Sequence, residues 1–109
     1  MELAERFNNN KLSWHNFPMF LLRPLMMVAQ YGAKKYAAFN FLKGAPQSQY
    51  LDCIKRHLDA YEDPSVDDLD AESRVNHLGH VAWNALVAIY MLEKFPELDD
   101  RYKLDEEKD

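Results

Sequence analysis

Apolar residues return at steps of three and four in three separate stretches of this chain, a spacing that predicts three helices. In the first, Leu25, Val28, Ala29, Gly32 and Tyr36 form a stripe of large and small side chains. Pro24 suits a first helical turn and restricts Arg23 before it. A short turn over 18–22 and a helix from Pro24 to about Ala37 are therefore predicted. Gly32 would let another helix or a ligand approach the backbone. Asn40 to Gln47, with Gly44 and Pro46, reads as a loop. Ser48 is the predicted N-cap of a second helix running to about Glu62. Its apolar face is Tyr50, Leu51, Ile54, Leu58 and Tyr61, with His57 at the edge. Asp52, Arg56, Asp59 and Asp63 line the opposite side as a solvated stripe.

The third helix carries the unusual pattern. Asp70 is its predicted N-cap, Glu72 suits the helix dipole in the first turn, and Pro96 stops it after about Phe95. On that helix Ser73, His77, His80 and Asn84 share one face, and Val87 and Met91 extend the face without a polar group. Polar groups in line on a face that is otherwise apolar need partners on the elements packed against them. Two histidines one turn apart suit a metal ion, a phosphate or a hydrogen-bonded helix seam. Leu86, Val87, Ile89, Tyr90 and Leu92 make the C-terminal half apolar, which predicts packing against another subunit of a homo-oligomer.

The fold class that follows is all-α, a small bundle of three main helices with the last one long. Residues 1–16 form an N-terminal arm, 17–96 the helical domain and 97–109 an acidic C-terminal tail, a frayed turn or a mobile end. Composition changes this picture little, with hydrophobic residues at 48% and charged residues at 28%. Charge changes it more: seven acidic and three basic residues in the tail carry most of the net charge of −5. The near-neutral remainder argues against a nucleic-acid duplex as partner. The single cysteine, Cys53, excludes an internal disulfide and suits a packing role in a reducing compartment. The apolar run from Phe17 to Val28 is interrupted by Pro18, Arg23 and Pro24 and is too short to span a bilayer. No membrane partner and a cytoplasmic location are expected.

Three segments offer polar groups that look convergent. They are Tyr31 to Tyr36 with Asn40, Lys43 and Gly44; Arg56-His57; and Glu72, Ser73, His77, His80 and Asn84. Cationic side chains neutralise phosphates, and aromatic rings stack on a base. The candidate ligand-binding residues are Tyr31, Lys34, Lys35, Tyr36, Asn40, Lys43, Arg56, His57, Ser73, His77, His80 and Asn84, with Tyr31, Tyr36 or Trp83 against a base. His57, His77 and His80 with Glu72 or Asp70 also form a candidate metal set of zinc type.

The order of these pieces resembles a phage domain family, the dATP/dGTP diphosphohydrolase N-terminal domain. The resemblance runs over about residues 8–92. It is carried by Tyr31 to Tyr36, Asn40-Phe41, Lys43-Gly44, Tyr50-Leu51-Asp52, Arg56-His57-Leu58, Asp70-Ala71-Glu72-Ser73, His77-Leu78-Gly79-His80 and Asn84. It implies a phage-encoded, nucleotide-handling helical protein, here as a stand-alone version in the host cytoplasm. In longer relatives this domain precedes a MazG-like pyrophosphohydrolase domain, whose catalysis is associated with Glu-Glu-x-x-Glu followed by Glu-x-x-Asp binding magnesium. This chain has no Glu-Glu-x-x-Glu; Glu106-Glu107 has no third glutamate in register. The leading expectation is a protein that holds a purine nucleotide or nucleotide-derived signal without transforming it, for sequestration, regulation or anti-defence. The alternative is a dATP/dGTP-type pyrophosphohydrolase dependent on magnesium, manganese or zinc.

Overall fold

The computed structural model describes residues 1–105. It contains three α-helices: α1 (Arg23–Lys35), α2 (Gln47–Glu62) and α3 (His77–Lys94). Short 3-10 turns at Trp14–Asn16, Met19–Leu22, Asn40–Lys43 and Pro96–Leu98 join or flank them. The described residues form no extended strand, only one isolated antiparallel bridge between Leu69 and Asn76. The all-α bundle predicted from periodicity is therefore the observed architecture.

Two helix starts differ from the sequence prediction, each for a local reason. Asp70 does not cap α3. Its carboxylate accepts the backbone N–H groups of Glu72 (3.1 Å) and Ser73 (2.8 Å), closing a turn of its own. Arg74 then adopts a left-handed backbone conformation with φ of 62°. A turn satisfied in this way competes with the helix. α3 begins only at His77, behind Asn76, whose side chain accepts the N–H of Leu78 at 2.8 Å. Ser73 is thus not on the helix.

At α2, Pro46 occupies the cap position and Ser48 lies in the first turn. The backbone N–H and hydroxyl of Ser48 both donate to the carboxylate of Asp100, at 2.8 and 2.5 Å. The start of the acidic tail therefore folds back and supplies the negative group that the N-terminus of α2 favours. Asp99 beside it accepts both the Nε–H (2.8 Å) and an Nη–H (2.9 Å) of Arg101. Glu106 and Glu107 lie outside the described residues.

α2 packs along α3, and α1 packs against α3 beside its N-terminal half. The core between α2 and α3 holds Tyr50, Val87 and Met91, closed by Phe41, Ala45, Trp83, Ala88 and Phe95. Gln47 is buried there and donates to the carbonyl of Ala88 at 2.9 Å. Gly79 lets α3 meet the start of α1, since a Cβ there would stand 2.9 Å from Val75 Cγ1 and 3.3 Å from Pro24 Cβ. Gly32 behaves otherwise: nothing lies within 4 Å of where its Cβ would be, and the space beside it is a cleft.

Much apolar surface stays open. Residues 1–21 are all exposed, as are Leu86, Ile89, Tyr90 and Leu92 on the outer face of α3. Val87, predicted to meet another subunit, belongs instead to the chain's own core. The radius of gyration is 18.7 Å. A compact domain of this length would have about 13 Å.

Candidate functional site

Three histidines from two helices meet where α2 crosses the start of α3. His57 projects from α2; His77 and His80 occupy the first turn of α3 and are buried. His57 Nδ1 lies 2.9 Å from His77 Nδ1, and His77 Nε2 lies 3.0 Å from the carbonyl oxygen of Asp67. The rings of His57 and His80 stack with centroids 4.4 Å apart and planes 6° from parallel. His80 Nε2 is 2.6 Å from Ser73 Oγ, and that oxygen also accepts the N–H of Val75 at 3.2 Å. Helical spacing predicts Ser73 beside His80. Ser73 arrives through the turn that Asp70 closes.

The hydrogen bonds assign tautomers to the neutral rings. A carbonyl only accepts, so His77 Nε2 carries the proton and His77 Nδ1 offers a lone pair. His57 Nδ1–H then donates to it, which leaves the lone pair of His57 on Nε2. Burial and the neighbouring His80 push the His57 pKa down, against the pull of Asp70. Burial likewise lowers that of His80, again with Asp70 opposing. For Asp70 itself burial pushes upward, but the Ser73 N–H and hydroxyl outweigh it, and the carboxyl stays below its ordinary value. The site is a near-neutral pair of imidazoles beside one ionised carboxylate.

Beside this cluster lies a cleft of about 210 Å³ between α1, the segment from Tyr36 to Phe41, and α3. Tyr31, Tyr36, Phe39, Phe41 and Trp83 supply aromatic walls, and Asn40, His80 and Asn84 supply polar groups. Phe41 meets Trp83 edge-on at 4.9 Å, and Tyr31 meets His80 edge-on at 6.3 Å. Asn84 donates to the carbonyl of His80 at 2.8 Å, which leaves its side-chain oxygen as an acceptor. His80 thus borders both the cleft and the histidine cluster.

The basic residues separate. Lys35 pairs with Glu72 at 3.0 Å, where both are well exposed, and its pKa is raised chiefly by that contact. Such a pair adds little to stability and exchanges readily with water. Lys34 lines a second hollow with Tyr31, Gln30 and Ser73, on from the cleft. Arg56 is exposed and donates to Cys53 Sγ at 3.2 Å, and Lys43 is exposed and lines neither cavity. Of the candidate residues, then, His57, His77, His80 and Ser73 form one cluster. Tyr31, Tyr36, Asn40, His80 and Asn84 form the adjoining cleft.

The carboxylate beside the histidines is Asp70, not Glu72, because the turn closed by Asp70 sends Glu72 outward to Lys35. His57, Asp70 and His80 bring potential ligand atoms within 4.8 Å of one another. Sequence reasoning missed Phe39 as a cleft wall and Asp67 as the carbonyl orienting His77. No periodic signal marks either, since both lie in irregular segments.

The family model described as dATP/dGTP diphosphohydrolase, N-terminal, matches residues 2–101. Neither the curated proteins nor the solved structures contain a match. No helix among the described residues is long and apolar enough to cross a membrane.

Proposed function

This chain belongs to the family of dATP/dGTP diphosphohydrolase N-terminal domains, and we propose that it binds a purine nucleotide or a nucleotide-derived signal. One observation carries the reading: an aromatic cleft of about 210 Å³ with amide and imidazole groups on its wall. That volume lies below the range of about 300–1,000 Å³ usual for drug-sized ligands. It suits the ring system of a base, leaving sugar and phosphates outside. Tyr31 stands between the cleft and the hollow that contains Lys34, so phosphates leaving the cleft on that side meet Lys34 and the exchangeable Lys35. Holding such a ligand suits sequestration or regulation, in a phage setting the withholding of a signal from host defence.

A specific feature favours a second reading, metal-dependent hydrolysis: the His57–Asp70–His80 group borders the same cleft through His80. One experiment separates the two. Calorimetry with dATP, dGTP, cyclic dinucleotides and ADP-ribose, with magnesium, manganese or zinc, is followed by mass analysis of the recovered nucleotide. Saturable heat with an intact ligand is the expected result, and Asn40→Ala weakens it. Release of pyrophosphate makes the protein a hydrolase, and absence of heat across the panel refutes the cleft reading.

The binding unit is proposed to be a homo-oligomer. The chain exposes 9446 Å², where a compact monomer of its mass would expose about 6,300 Å². The arm and the outer face of α3 contribute to that surplus. Residues 78–92 of α3 carry no charge, so the helix can face a copy of itself without repulsion. Light scattering tests this; a monomer at micromolar concentration would contradict it.

A further inference from the structure

We infer that His57, Asp70 and His80 form a binding site for one divalent transition-metal ion of the zinc class, with His77 and the Asp67 carbonyl as its positioning shell. Three features of the geometry converge on this. The three donors come from α2, the turn before α3, and α3 itself, so only the folded chain assembles them. Their ligand atoms lie within 4.8 Å of one another. Metal–ligand bonds of about 2.0–2.2 Å require these atoms to approach by about 1 Å more, a small side-chain rotation.

The second feature is the direction of the hydrogen bonds. Asp67 C=O, His77 and His57 form a relay in which each imidazole donates away from the site, and the lone pair of His57 is left on Nε2. Ligating histidines are held in this way, with the second ring nitrogen donating to a fixed acceptor. The third is the state of Asp70. One of its oxygens, Oδ2, is taken by the N–H groups of Glu72 and Ser73. That anchors the carboxylate beside the two imidazoles.

Two imidazoles and one carboxylate suit zinc, cobalt or another borderline ion better than magnesium, which prefers oxygen ligands throughout. Three protein ligands leave coordination positions for water or a phosphate oxygen. Because His80 also lines the cleft, such an oxygen would belong to whatever ligand the cleft holds. The site itself does not depend on that ligand.

The test is a titration of chelator-treated protein with zinc chloride and, separately, cobalt chloride, in the absence of nucleotide. One ion per chain is expected, with visible cobalt absorption from a nitrogen-ligated site. Asp70→Asn keeps the turn and should weaken affinity at least tenfold. His77→Ala touches no ion and should weaken it about 10–100-fold, the usual effect of losing a supporting hydrogen bond. Glu72→Gln should leave affinity unchanged. Circular dichroism of each variant confirms that it folds, and if His77→Ala does not, Asp70→Asn against Glu72→Gln decides. Absence of saturable binding, or equal weakening by those two variants, overturns the proposal. Either result leaves the nucleotide cleft to its own experiment.

Discussion

The two halves of α3 present the same face to the interior at similar burial but are held by different forces. His77 and His80 are 6% and 7% exposed; Val87 and Met91 are 6% and 1% exposed. The C-terminal half gains stability from removing apolar surface from water, at about 25 cal/mol per Å². The N-terminal half must first replace the hydrogen bonds its imidazoles had with water. It does so for every atom cut off from water: none of the fully buried side-chain polar atoms among the described residues lacks a partner. A satisfied polar cluster adds little net stability, whereas breaking it is expensive. Apolar packing therefore holds one half of the helix and a hydrogen-bonded polar cluster the other.

The largest effect is expected where packing alone acts. Met91→Ala removes the most deeply buried side chain of the α2–α3 core. A loss of about 2–5 kcal/mol is expected, read as a fall in melting temperature of about 8 °C or more for a domain of this size. Nucleotide and metal affinity of the folded fraction should not change.

His77→Ala comes next and tests the polar half. It strips the acceptor from His57 Nδ1–H and the donor from the Asp67 carbonyl. A buried group left unsatisfied costs about 1–3 kcal/mol. Nitrogen NMR gives a readout that packing loss would not move: the His57 ring should change from one tautomer to a mixture. A single retained tautomer would refute the relay.

The glycines sharpen the contrast with opposite signs. Gly32→Ala adds a methyl group where nothing stands within 4 Å. Helix propensity should then raise stability by about 0.5–1 kcal/mol, while the narrower cleft binds nucleotide less well. The same change at Gly79 meets Val75 Cγ1 at 2.9 Å and should lower stability in the same denaturation assay.

The smallest effect concerns the tail. Hydrogen bonds from Ser48 hold the Asp100 carboxyl below its ordinary pKa. A group depressed on folding stabilises above its unfolded pKa and loses that contribution as pH falls through the folded value. Asp100→Asn should thus be slightly less stable than the parent at neutral pH. The two should converge below about pH 4, the range of an ordinary aspartate, and a constant difference down to pH 2 would exclude this cap.

Much of the site was legible because burial follows helical spacing. His77, His80, Val87 and Met91 fall on one face by their numbering, and the structure buries all four. His57 at the edge of the apolar face of α2 was likewise readable. The outward placement of Arg56 was readable too, since the same residue belongs to the charged stripe on the far side of that helix. For Arg56 and Lys43 a phosphate role follows from residue type alone, and nothing in a periodic pattern tests proximity.

The helices themselves, the polar and apolar halves of α3 and the all-α class were determined by the sequence, because each depends only on residues a turn or two apart. The tertiary structure decided which carboxylate joins the histidines, that Ser73 reaches His80 from a turn, and that Gly32 opens a cleft while Gly79 closes a contact. Those outcomes turn on the path of the connections at 36–46 and 63–76. Phe39 and Arg74 take φ of 62° there, a conformation that non-glycine residues enter only when surrounding contacts compensate the strain. Such contacts exist only once the three helices have packed.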